Sequence, residues 1–147
     1  DHGAGDQNLI GHFGVLAGPG RLIREARRWR KMLGGGMRQA GFLAAAAAWA
    51  LEHHVDRLAQ DHDNARAMAL GLSGLEPVAI DMDQVQTNIV FARFDTDTAE
   101  LAEALEKQDI LITPGEPVRL VTHLDIDAAD INRALEAIRA FFTEKGA

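Results

Sequence analysis

The stretch TNIVFARFDTDTAELAEALEKQDILITPGEPVRLVTHL (residues 87–124) decides the fold. Its first eight residues, TNIVFARF (87–94), are rich in β-branched and aromatic side chains and are closed by Asp95, which reads as a strand. TAELAEALEKQD (98–109) follows with Leu101, Ala102 and Leu105 at helical spacing. ILITP (110–114) and PVRLVTHL (117–124) then read as two more strands around a turn rich in glycine and proline. Upstream, PVAI (77–80) is a fourth strand candidate, and downstream DAADINRALEAIRAFFTEK (127–145) is a closing helix. The alternation predicts an α/β class domain, specifically an α+β layer in which helices cover one face of a small sheet.

Two or three long helices precede this layer. Pro19 sits where a helix accepts it in the first turn, and RLIREARRWRKML (21–33) places Leu22, Ile23, Ala26, Trp29 and Leu33 at helical spacing. Gly34, Gly35 and Gly36 stop that helix, because glycine tolerates left-handed backbone. A second helix is expected from Met37 to His53, apolar nearly all round and therefore buried on all sides. A third, from Val55 to Leu72, carries a stripe of Val55, Leu58, Ala59, His62, Ala65, Met68, Ala69 and Leu72, with Asp56, Arg57, Gln60, Asp61 and Arg66 turned outward. VLAG (15–18) reads as a short strand end and residues 1–14 as loop. The expected organisation is an atypical segment at 1–14, helices at 15–54 and the α+β domain at 55–147.

Composition bounds the function. The 147 residues, 47% hydrophobic and 25% charged, suit one globular domain with a real core. No apolar run is long enough to span a membrane. The chain has no cysteine, which excludes thiol catalysis and cysteine-ligated metals and points to a cytoplasmic setting. The net charge of −7 is uneven: Arg21, Arg24, Arg27, Arg28, Arg30, Lys31 and Arg38 face only Glu25, giving +6 there and −13 elsewhere. That patch suits an anion, and it suits equally a solvated helix face. Nucleic acid is argued against by the acidic remainder, the single nearby aromatic Trp29 and the absence of a groove-reading motif.

Few motifs carry chemistry. His53, His54 and His62 lack the i, i+3 or i+4 spacing of helical metal ligands, so no metal site is assigned, and His62 on the apolar stripe reads as a core or interface histidine. Neither a nucleophile elbow, a P-loop nor a dinucleotide fingerprint occurs. Gly34–Gly36 beside Arg30, Lys31 and Arg38 reads as a phosphate or carboxylate seat, because free backbone N–H groups at a helix start lie near cations there. Arg119 lies among Val118, Leu120 and Val121, so a buried guanidinium there needs either an internal acid or a ligand carboxylate.

Taken together, RWRKMLGGGMRQAG (28–41), the alanine-rich helix, HVDRLAQDHDNARAMALGL (54–72), TNIVF (87–91) and VRLVTHLDI (118–126) resemble the C-terminal half of low-specificity L-threonine aldolases. These are pyridoxal-phosphate enzymes of the aspartate-aminotransferase-like fold, and the likeness runs from about Val15 to Phe142. The resemblance implies a lyase that splits β-hydroxy-α-amino acids such as L-threonine or L-allo-threonine into glycine and an aldehyde, with the cofactor as electron sink. It implies that Arg119 holds the substrate α-carboxylate, that Lys31 binds substrate and that Arg38 binds cofactor, partly across a subunit boundary. It also implies a homo-oligomer, dimer or tetramer, or a missing N-terminal large domain against which the alanine-rich helix packs.

The family carries its cofactor on a lysine in an SKGLGAPVGS-like segment. An ungapped count puts Asp6 of DQNLIGHFG (6–14) there, and an acid cannot form that link. No catalytic residue is therefore assigned, and the chain reads as a portion that does not catalyse alone. A non-catalytic assembly or binding module built on the same helices is the other class the residues allow.

Overall fold

The computed structural model describes residues 16–146. Among them the chain divides into two compact units, with the boundary between Ala46 and Ala47. In the first, helix α1 spans Gly20–Met32 and starts after Pro19. It ends in a Schellman motif: Gly34 takes φ +87°, its N–H donates to the Lys31 carbonyl at 3.3 Å, and the Gly35 N–H donates to the Arg30 carbonyl at 2.8 Å. The glycines therefore stop the helix for the expected reason, a left-handed residue at its C-terminal end. Leu16–Gly18 form no strand, and the expectations for residues 1–14 and Val15 lie outside the described residues.

Helix α2, Gly41–His53, crosses the boundary between the units and starts four residues later than Met37. Among the described residues, none of α1 or α2 is buried. Phe42 is 86% exposed, and Met37, Trp49 and Leu51 are exposed with it. The burial on all sides expected from the apolar sequence is thus not seen among the described residues.

The second unit is built on a three-stranded antiparallel sheet in the order β1-β2-β3, formed by β1 (Val78–Ile80), β2 (Ile89–Phe94) and β3 (Val118–Val121). A short 3-10 turn at Met82–Gln84, capped by Asp81, joins the first two. Helices α3 (Leu58–Ser73) and α5 (Ala128–Lys145) pack together, α3 lies against β1 and β2, and α4 (Thr98–Glu106) packs on α5. Helices thus line one face of the sheet, and the class is mixed helix and small antiparallel sheet. The core is made of Leu72, Val78, Ala92, Leu101, Leu105 and Ile138, with a second cluster of Ala65, Ala69 and Val90 under the same helices.

Three local expectations change. ILITP forms no strand among the described residues. The Ile110 N–H donates to the Leu105 carbonyl at 3.1 Å and that of Gly115 to Thr98 Oγ1 at 3.2 Å, while Pro114 has no N–H to give a ladder. Ile110 and Ile112 still face the core, which produced the strand-like alternation.

The α3 stripe is correct at Ala65, Met68, Ala69 and Leu72 and fails at Val55, Leu58, Ala59 and His62, all exposed. In that first half the buried positions are Asp61 and Asn64, which bond the segment after β3. Asp61 is therefore inward and His62 outward, the reverse of the sequence reading. No helix among the described residues is long and apolar enough to cross a membrane.

Candidate functional site

Arg119 sits at the centre of β3, directly across from Phe91 of β2. Along β3 the side chains alternate as a pleated strand requires: Val118 is buried, Arg119 exposed, Leu120 half-buried and Val121 exposed. Arg119 shares the sheet's uncovered face with Ala79, Phe91, Arg93 and Val121, all exposed. The expected buried guanidinium is thus corrected: Val121 belongs to the solvent side, and a strand with one covered face needs apolar residues only at every second position. Among the described residues Arg119 forms no ion pair. The internal acid that would have explained it is not there.

Beside the strand lies a cleft of about 350 Å³ bounded by β3, residues 109–113 and the first half of α5. Arg119, Thr113 and His123 contribute to its lining along with the apolar Leu120, Ile126 and Ile131. The Asp125 N–H donates to His123 Nδ1 at 3.3 Å. Arg133 is paired with Asp130 at 3.4 Å.

Behind Arg119 is a set of polar contacts that the sequence reading passed over. Thr122 Oγ1 donates to the Asp61 carbonyl at 2.6 Å, and Asn88 Nδ2 donates to the Thr122 carbonyl at 2.8 Å. The Thr122 N–H returns a bond to the Asn88 carbonyl at 3.0 Å, and Asn64 Nδ2 donates to the Ile126 carbonyl at 2.9 Å. Asp61 accepts from Arg57. Asp61, Asn64 and Thr122 are the buried polar residues of the described structure, and no buried side-chain nitrogen or oxygen among these residues lacks a partner. A threonine inside an apolar run was the available signal, but its partners lie 34 and 61 positions away in sequence.

Lys31 and Arg38 belong to the first unit and Arg119 to the second, and each is exposed. A Cβ at Gly36 would lie 2.7 Å from Lys31 Nζ, so the lysine folds over that glycine. Two amides of the glycine triplet are not free. Gly34 and Gly35 spend their N–H groups on the α1 carbonyls, at the end of the helix where the macrodipole is negative.

The architecture is a mixed helix and small antiparallel sheet, and comparison with known proteins gives the family. The sequence model of the beta-eliminating lyase family matches residues 9–95, more than half of the chain, which belongs to that family. The low specificity L-threonine aldolase of Escherichia coli K12 is 42% identical over 128 residues, 86% of this chain and 38% of that protein. The probable low-specificity L-threonine aldolase 2 of Arabidopsis thaliana is 36% identical over 134 residues, 87% of this chain and 38% of that protein. The probable low-specificity L-threonine aldolase of Schizosaccharomyces pombe is 32% identical over 120 residues. The chain spans less than two fifths of the length of each of these relatives.

Proposed function

We propose that the chain is the C-terminal, substrate-holding portion of a low-specificity threonine-aldolase-type lyase, which splits a β-hydroxy-α-amino acid such as L-threonine or L-allo-threonine into glycine and an aldehyde. The observation that carries this reading is the 42% identity spread over 86% of the chain. In this reading the fold is the C-terminal part of the pyridoxal-phosphate transferase type. Residues 15–54 are then a remnant of the large domain and 55–147 the small one, and the working enzyme is a homo-oligomer.

Arg119 takes the substrate α-carboxylate. A planar guanidinium gives two parallel charge-assisted N–H bonds to a carboxylate, which fixes both position and rotation. Its availability supports the role, since it is exposed on a strand and no acid among the described residues pairs with it. Holding the carboxylate as a fork sets the direction of the Cα–Cβ bond that breaks. Lys31 adds a cation toward the substrate and Arg38 one toward the cofactor phosphate.

Pyridoxal phosphate, when bound in such an enzyme, supplies the electron sink for the charge left on Cα. The described residues offer cations toward it but not its seat. The amides of Gly34 and Gly35 are already bonded, Lys145 is tied to Glu100 and Thr96, and neither Lys31 nor Lys107 lines the cleft beside Arg119. This portion therefore holds and orients substrate, and no covalent step is assigned to it. The complete protein that carries this segment, supplied with the cofactor and L-threonine, should release glycine and acetaldehyde in equal amounts. Absence of both products would overturn the reading.

A further inference from the structure

We propose that Thr122, backed by Asn88 and Asn64, is the positioning residue for Arg119: it fixes the register of β3 and so decides on which face the guanidinium stands. The inference rests on the reading of Arg119 as the carboxylate anchor. The argument starts from the strand. β3 pairs only with β2, so one edge of this four-residue strand is without a partner among the described residues. Side chains along a strand alternate with period two, and a slip of one residue would exchange Arg119 with Leu120, sending the cation toward the core and the leucine to solvent. A short edge strand held by one ladder resists such a slip weakly, and hydrophobic contrast settles only part of it. Arg119 is disfavoured in the core, but Val118, Leu120 and Val121 are all apolar and suit either face, so a single residue carries the contrast.

The polar contacts supply what the pattern lacks. Thr122 continues the ladder by one residue, with its N–H on the Asn88 carbonyl and its carbonyl receiving Asn88 Nδ2. Its hydroxyl reaches across to the Asp61 carbonyl on α3 at 2.6 Å, and Asn64, one turn further along α3, holds the Ile126 carbonyl. The end of β3 is thereby joined both to its neighbouring strand and to the helix beneath the sheet. A hydroxyl and an amide meet their acceptors in one register only, whereas apolar contacts tolerate several. Burying such a group adds little net stability compared with an apolar residue of the same shape, so a positional role accounts for its placement better than a stabilising one.

The test uses the complete enzyme that carries this segment. Thr122→Val keeps the shape and removes the hydroxyl, Thr122→Ser keeps the hydroxyl, and Asn88→Ala removes the second contact at a half-buried position that is safer for folding. Thr122→Val should raise the KM for the amino acid roughly fivefold to tenfold, the scale of one misplaced hydrogen bond, with Asn88→Ala following in the same direction. Thr122→Ser should stay within about twofold of the parent, because the bond to Asp61 can re-form. A folded Thr122→Val or Asn88→Ala enzyme with unchanged KM would overturn the proposal, as would a lowered melting temperature with KM untouched. Arg119→Lys, measured alongside, separates the two claims. If it leaves KM unchanged, the anchor reading itself is wrong and the positioning role falls with it. If it raises KM while Thr122→Val does not, only the positioning role is lost.

Discussion

Asp61 is a carboxylate only 3% exposed, in the first turn of α3, and Arg57 one turn earlier is its partner. Taking such a charge out of water is tolerable because the guanidinium and the helix N-terminus both favour it. Removing the partner leaves the desolvation cost uncompensated. Arg57→Ala should therefore destabilise the protein by about 1–3 kcal/mol, and adding Asp61→Asn in that background should recover part of the loss because the charge is gone. Paired thermal melts of the single and double variants check this, and an unchanged melting temperature in Arg57→Ala would contradict it. This pair was half legible. The four-residue spacing of Arg57 and Asp61 is in the sequence, but a rule that sends every acid on a helix outward has no term for an acid that already carries its counter-ion. Thr122 was harder, since nothing local to it names an acceptor 61 residues away.

At the scale of the element, α5 shows why the closing helix was plain from the sequence. Asp127 accepts from the N–H groups of Ala129 and Asp130, and the Asp130 side chain returns a bond to the Asp127 N–H at 3.2 Å, which makes a capping box. Asp127→Ala should cost about 1 kcal/mol, read as a fall of roughly 4 °C or more in melting temperature. A melt within 1 °C of the parent, to be read as about zero, would mean that packing alone fixes this end of the helix. Gly71 on α3 marks another constraint. A Cβ there would run into both terminal methyls of Leu135 on α5, so Gly71→Ala should be destabilising by roughly 1–3 kcal/mol even though alanine is the better helix former. A neutral or stabilised variant by chemical denaturation would show that Leu135 swings aside freely. Helices α3, α4 and α5 and the two longer strands were readable from their periods, because each buries one face within the second unit. The ILITP segment was not, because its alternation comes from packing against the core while its backbone bonds go to α4.

For the molecule as a whole, the apolar surface of α2 poses the clearest question. Phe42, Trp49 and Leu51 are exposed on one short helix, and contiguous apolar surface of this kind marks a covered face. The isolated chain should self-associate, with a light-scattering mass that rises with concentration, and a constant monomer mass would contradict the expectation that another chain or further sequence covers α2. The sequence showed that α2 needs cover, and it could not show that the described residues leave it exposed, since burial is a property of neighbours. The same limit applied to Arg119. Its residue type and strand were legible, whereas its exposure and lack of an acidic partner follow from the sheet having one covered face. The central claim, that Arg119 anchors the substrate carboxylate, is tested most directly by melting temperature and steady-state kinetics of Arg119→Lys in the complete enzyme. The account predicts an unchanged melting temperature with kcat/KM lower by about two orders of magnitude, because lysine offers a point charge without the fork. A stable Arg119→Lys enzyme with near-normal kcat/KM would contradict it.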